Sequence, residues 1–159
     1  MFDHLLEREQ WLPRAPEEVF PFFADALNLE AITPSWLRFR VVTPAPIEMR
    51  AGALIDYRLR LRGVSVAWHT RIEAWEPPRR FVDRQLRGPY RHWVHTHSFR
   101  PEAGGTVMRD AVAYGLPLGP LGELAHAAFV RRDLERIFAF RHAEVARRLA
   151  AGDTAAVRP

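Results

Sequence analysis

The chain has no cysteine and no lysine. Without thiols there is no disulfide, no thiolate nucleophile and no cysteine-based zinc site. Without lysine there is no Schiff-base chemistry and no P-loop lysine. Serine is scarce, and neither GxSxG nor SxxK occurs. No apolar run approaches the ~20 residues that a membrane span needs, so no integral membrane segment is expected. The opening residues Met1–Trp11 lack the basic start and apolar core of a secretory signal, and a cytoplasmic location is expected. All 23 basic residues are arginine, which lifts the isoelectric point to about 10.5 while the formal charge is only +4. The arginines are dispersed among Asp and Glu rather than gathered on one face, so no nucleic-acid partner is expected.

What is present reads as one α+β domain over residues 1–151, with a frayed tail at 152–159. A first strand is expected over 3–12. Pro16-Glu17-Glu18 marks a helix start, and Pro21 should kink or shorten that helix. A second short helix is expected over 25–32, ended by Thr33-Pro34. Alternation then predicts strands over 37–42, 54–62, 64–75, 81–87, 91–100 and 106–114. Turn signals separate them at Arg62-Gly63, Glu76-Pro77-Pro78, Gly88-Pro89 and Gly104-Gly105. Short turns between successive strands imply an antiparallel meander. From Pro120 to about Ala151, Leu121, Leu124, Ala128, Leu134, Ile137, Phe138, Val145 and Leu149 recur at helical spacing. Gly152 is placed to cap that helix. A helix with one apolar face must lie on the sheet.

Turn lengths set registers. A turn at Gly63-Val64 pairs Tyr57 with Thr70, Leu59 with Trp68 and Ile55 with Ile72. Further turns pair Ile72 with Asp83, Thr70 with Gln85, Asp83 with His95, Gln85 with Trp93, His97 with Asp110, Phe99 with Met108 and Trp93 with Tyr114. Opposed residues share a face. One face therefore collects Ile55, Tyr57, Leu59, Trp68, Thr70, Ile72, Phe81, Trp93, Phe99, Met108, Val112 and Tyr114, together with Asp83, Gln85, His95, His97 and Asp110. The other face holds Arg58, Arg60, Arg71, Glu73, Arg84 and Arg109. So many polar groups among aromatics do not suit a solid core. They suit a pocket with apolar walls and a few placed polar groups.

His95-x-His97 puts two imidazoles on one strand face, a spacing that can chelate a metal with Asp83 and Asp110 as further ligands. The plainer reading is two cross-strand pairs, Asp83–His95 and His97–Asp110, each carboxylate orienting an imidazole. No metal and no cofactor is expected on that reading. An Asp-oriented His in an apolar pocket can also move protons near neutral pH, with Tyr57, Tyr114 and Gln85 placed to hold a carbonyl. Trp68, Trp93 and Phe99 can stack on a flat ligand or simply fill the layer. The remaining histidines, His4, His69, His92, His126 and His142, receive no role.

Several segments in order resemble one family. They are Asn28-Leu29 with Ile32-Thr33-Pro34, Ile55-Asp56-Tyr57, Trp75-Glu76-Pro77-Pro78, Phe81-Val82-Asp83, Gly88-Pro89-Tyr90 and Trp93-x-His95-x-His97-x-Phe99. Gly104-Gly105-Thr106, Asp110 and Pro117-x-Gly119 extend the series. From about residue 3 to 145 the chain resembles the SRPBCC, or START-like helix-grip, superfamily, in its bacterial ligand-binding branch. The resemblance implies a curved sheet of about seven strands around a long C-terminal helix, with two short helices after the first strand. It implies a hydrophobic small-molecule partner: a lipid, polyketide or isoprenoid-like compound held between sheet and helix. The expected ligand-binding residues are Tyr57, Trp68, Thr70, Gln85, Trp93, His95, His97, Phe99, Met108, Asp110, Tyr114 and Ile137. The alternative is a cyclase or dehydratase working through His95, His97, Asp83 and Asp110. The chain is expected to be a monomer or homodimer.

Overall fold

A computed structural model describes residues 3–150. The proposed tail and the Gly152 cap fall outside them. Strand β1 (His4–Leu12) leads into α1 (Pro16–Ala24) and α2 (Asn28–Ala31). The sheet continues with β2 (Arg40–Val41), β3 (Leu54–Leu61), β4 (Val64–Glu76), β5 (Arg80–Arg87), β6 (His92–Glu102) and β7 (Gly105–Gly115). The C-terminal helix comprises α3 (Pro120–Ala125), a π turn (His126–Val130) and α4 (Arg131–Arg148). All seven strands form one antiparallel sheet in the order β1-β7-β6-β5-β4-β3-β2. This is the α+β helix-grip architecture. No helix among the described residues is long and apolar enough to cross a membrane.

Alternation decides which face is dry. Along β6 Trp93, His95, His97 and Phe99 are buried, and along β7 Thr106, Met108, Asp110, Val112 and Tyr114. On the outer face Glu73 pairs with Arg71 and Arg84, and Glu7 with Arg109. The helix closes the inner face. Leu134 and Phe138 pack with Trp93, Val112 and Tyr114. Val145 and Leu149 pack with Leu12, Phe99, Met108 and the α1 residues Val19, Phe20, Phe22 and Phe23.

The structure departs from the sequence reading in five places. The β3–β4 turn is Arg62-Gly63, with φ of 48° and 83°, the left-handed pair a two-residue hairpin demands. This moves the register by two residues, so Tyr57 faces Trp68, Ile55 faces Thr70 and Leu59 faces Val66. A shift of two keeps every side chain on its face, and the inward set survives. On β4 the register slips between Ile72 and Ala74. The bulge bends the strand and brings Trp75 opposite Phe81 and into the core against Phe20, a place the alternation had not assigned to it.

The segment 37–42 pairs only at Arg40 and Val41, because a tight turn at Ser35–Leu37 and a left-handed Arg38 (φ 46°) precede it. The second helix is only Asn28–Ala31, since the Asp25 carboxylate accepts from the Leu27 N–H at 3.0 Å and holds the chain outside the helix there. Last, the C-terminal helix is not one regular rod. A π turn inserts a residue and rotates the face by roughly 100°. Upstream of it Leu121 and Leu124 are 68% and 67% exposed, and within it Ala128 is exposed too. The single apolar stripe holds only from Leu134 onward.

Candidate functional site

Between the sheet and α4 lies a hollow of about 140 Å³. Its apolar lining includes Leu59, Trp68, Ile72, Trp93, Ile137 and Phe138, with Phe22, Phe23 and Leu29 from α1 and α2. Polar side chains enter at Thr70, Asp83, His95, His97 and Arg141. Of the residues expected to touch a ligand, Tyr57, Trp68, Thr70, Trp93, His95, His97 and Ile137 line it. Five stand elsewhere. Phe99 and Met108 belong to the solid core around α1, and Tyr114 packs under Leu134. Gln85 turns to the β5–β6 connection, donating to the Tyr90 carbonyl at 2.8 Å and accepting from its N–H. Asp110 lies behind the two histidines. The strand face alone cannot separate residues under the hollow from residues under packed helix.

The four ionisable groups form one cluster. β6 carries both imidazoles and runs between β5, which supplies Asp83, and β7, which supplies Asp110. Asp83 is opposite His95 and Asp110 is opposite His97, as the turn lengths imply. The two shortest hydrogen bonds nevertheless run diagonally, beside the straight contacts expected from the register. His97 Nε2 contacts Asp83 Oδ2 at 2.8 Å, and His95 Nε2 contacts Asp110 Oδ1 at 2.8 Å. His97 Nδ1 lies 3.1 Å from Asp110 Oδ1, and His95 Nδ1 lies 3.9 Å from Asp83 Oδ2. The rings lie 3.7 Å apart, so each imidazole stands between the two carboxylates. Phe81 stacks on His97 and Phe138 meets His95 edge-on.

Burial and hydrogen bonding compete at each group. For both carboxyls burial favours the neutral acid, but the imidazole hydrogen bonds and charges outweigh it and hold Asp83 and Asp110 below the usual carboxylate range. For His97 burial opposes the proton, and the bonds to Asp110 and Asp83 prevail, raising its pKa. For His95 burial and the neighbouring His97 charge prevail, lowering it. The fold thus favours the proton on His97, disfavours it on His95 and holds both carboxyls ionised.

Two features escaped the sequence reading. Arg141 lines the hollow with its guanidinium over the Phe138 ring, 5.0 Å from the centroid, and its buried Nε has no hydrogen-bond partner. It sat in the helix as one arginine among many, and only its position one turn from Phe138 hinted at an inward stem. His126, on the π turn, is buried and bonds the Tyr114 hydroxyl at 2.9 Å while stacking on His4. No sequence signal marks a π turn.

Residues 4–150 match the family described as polyketide cyclase / dehydrase and lipid transport. The chain belongs to this family. No curated protein matches it. Among solved structures it is similar to the protein TTHA0849 from Thermus thermophilus, at 20% identity, a TM-score of 0.73, and 92% and 97% of the two chains covered. It is similar to the di-domain ARO/CYC StfQ from the steffimycin biosynthetic pathway, at 15% identity and a TM-score of 0.72, covering 98% of this chain and 52% of that one. It is similar also to Ara h 8.0201, at 16% identity and a TM-score of 0.63, covering 91% and 98%. At these identities the likeness concerns the fold. Family membership supports a small-molecule-binding domain.

Proposed function

We propose that the protein binds a small, largely apolar ligand carrying one oxygen-bearing end, in the hollow between sheet and α4. The observation that carries this is the hollow itself, with aromatic walls and an unsatisfied Arg141 donor beside it. A cavity of about 150 Å³ accommodates benzene, so about 140 Å³ suits a single ring or a short chain. A fused-ring polyketide or a long acyl chain would have to extend beyond it. A carbonyl or carboxylate oxygen would satisfy the Arg141 Nε–H, and the ring would lie against Trp68 and Trp93.

The test is native mass spectrometry of freshly purified protein, followed by titration with benzene and benzoate read from the tryptophan fluorescence. Thr70→Phe fills the hollow from β4 and should abolish binding while the circular dichroism spectrum stays native. Absence of any adduct, with no saturable response to either probe, refutes the reading.

A second reading is favoured by the crossed His–Asp cluster in the cavity wall. A protonated His97 beside an unprotonated His95 can give and take a proton on the same ligand, as cyclisation or dehydration requires. On this reading His97→Ala retains probe affinity and loses turnover of an enolisable substrate; an unchanged rate excludes it.

A further inference from the structure

The straight pairs read from the sequence left no place for a metal ion, because each carboxylate was assigned to one imidazole. The crossed arrangement sorts the donor atoms differently. One nitrogen of each ring, His95 Nε2 and His97 Nδ1, lies toward a single oxygen of Asp110, at 2.8 and 3.1 Å. The other nitrogen of each ring, His95 Nδ1 and His97 Nε2, lies toward a single oxygen of Asp83, at 3.9 and 2.8 Å. Asp110 is the buried member, with its side chain 8% exposed, and Asp83 is the more open one at 20%. Asp83, His95 and His97 line the hollow, and Asp110 sits behind them.

We propose that Asp83, His95 and His97 form a binding site for a divalent first-row transition metal ion at the wall of the hollow, with Asp110 as the carboxylate that orients both imidazoles. Ligand atoms around a tetrahedral zinc ion, with bonds near 2.0–2.1 Å, stand about 3.3 Å apart. The separations of 2.8 and 3.9 Å bracket that value, and one donor atom from each of the three residues falls within 4.8 Å of the others. Two imidazoles and one carboxylate are a donor set that zinc, cobalt and iron accept. With Asp110 on the far nitrogens, His95 Nδ1 offers a lone pair, and His97 Nε2 offers one once a cation displaces the proton it shares with Asp83. The groups also share one rigid surface. His95 and His97 alternate on β6, Asp83 is paired to that strand, and Phe81 and Phe138 pin the two rings. The three ligands face a space that can hold a small molecule, so further coordination positions would open toward it.

A second group, His4, Glu123 and His126, also brings three donor atoms within 4.8 Å. There His126 Nε2 is taken by the Tyr114 hydroxyl and His4 by both oxygens of Glu123. No carboxylate orients the pair from behind, and this group serves as the control.

The experiment is titration of metal-free protein with Co²⁺, followed by visible absorption and by equilibrium dialysis. One equivalent should bind, with d–d bands indicating nitrogen and oxygen ligation. Asp83→Asn and His97→Ala should each abolish the bands, both variants being checked by thermal melting for a native fold. Asp110→Asn should keep the one-to-one stoichiometry and weaken binding about 10–100-fold. His126→Ala should leave binding unchanged. Absence of Co²⁺ uptake by the wild type, or uptake lost in His126→Ala and retained in a folded Asp83→Asn, overturns the proposal. The site rests on side-chain geometry and not on the ligand reading. A protein that binds benzoate yet ignores Co²⁺ sinks the metal site alone.

Discussion

Replacing Asp110 by Asn keeps the shape of the side chain and removes its charge, which isolates the electrostatics of the buried cluster. The carboxylate accepts from His95 Nε2 at 2.8 Å and faces His97 Nδ1 at 3.1 Å. Net hydrogen bonds to charged groups contribute about 1.5–3 kcal/mol, and removing one member of a buried ion pair costs about 3–5 kcal/mol. Asn keeps one acceptor oxygen, so about 2–3 kcal/mol is expected. For a chain of this length that is a fall in Tm of roughly 4–12 °C. The loss should depend on pH. The fold raises the His97 pKa, so its stabilising contribution is complete below the unfolded value of about 6.5 and fades as pH rises through the folded value. The fold depresses the Asp110 pKa, so that contribution is complete above about pH 4 and is lost on acidification. The advantage of the wild type over Asp110→Asn is therefore largest between about pH 4 and 6.5 and smaller in alkali. Urea unfolding at about pH 5.5 and about pH 9.5, with a chelator present and equal m-values, measures it. An equal difference at both pH values, or none at either, refutes the assignment of the charge to His97.

Arg141→Met retains the stem over Phe138 and removes a buried donor without a partner. It should leave the urea midpoint unchanged or raise it slightly, while weakening benzoate binding at least tenfold and benzene binding little. Equal weakening for both probes argues against an oxygen-directed role. Gly105→Ala should cost about 1–3 kcal/mol, because a Cβ there collides with the Leu12 carbonyl oxygen across the β1–β7 pair. Calorimetry should show a lower Tm, and an unchanged one means that β1 can move aside. Phe138→Ala should cost about 3–5 kcal/mol, since this buried ring joins α4 to the sheet and contacts His95. A loss under about 1 kcal/mol in chemical denaturation indicates that the helix is not held there.

The inward face was legible because a strand has a period of two, and a register error of two residues leaves that face intact. Thus Asp83, His95, His97 and Asp110 could be placed together from the chain alone, even with the β3–β4 turn misplaced by one residue. The meander from β3 to β7 and the closing helix follow from alternation, turn residues and an apolar stripe, all of them local signals, whereas the pairing of β1 with β7 does not. What lay outside local reach depended on three-dimensional packing. Register puts Asp83 opposite His95, but the side-chain geometry also links each imidazole to the diagonal carboxylate. Alternation marks Phe99, Met108 and Tyr114 as inward, but α1 and α4 decide whether inward means core or hollow. Helical spacing carries Leu121 and Leu124 to the dry side, but one inserted residue in the π turn rotates them into water. Arg141 is anonymous in a chain whose every basic residue is arginine, until Phe138 and the hollow give it a position. Sequence periodicity assigns faces; distances between side chains on different elements, and with them protonation and ligation, exist only once the sheet has curved and the helix has closed on it.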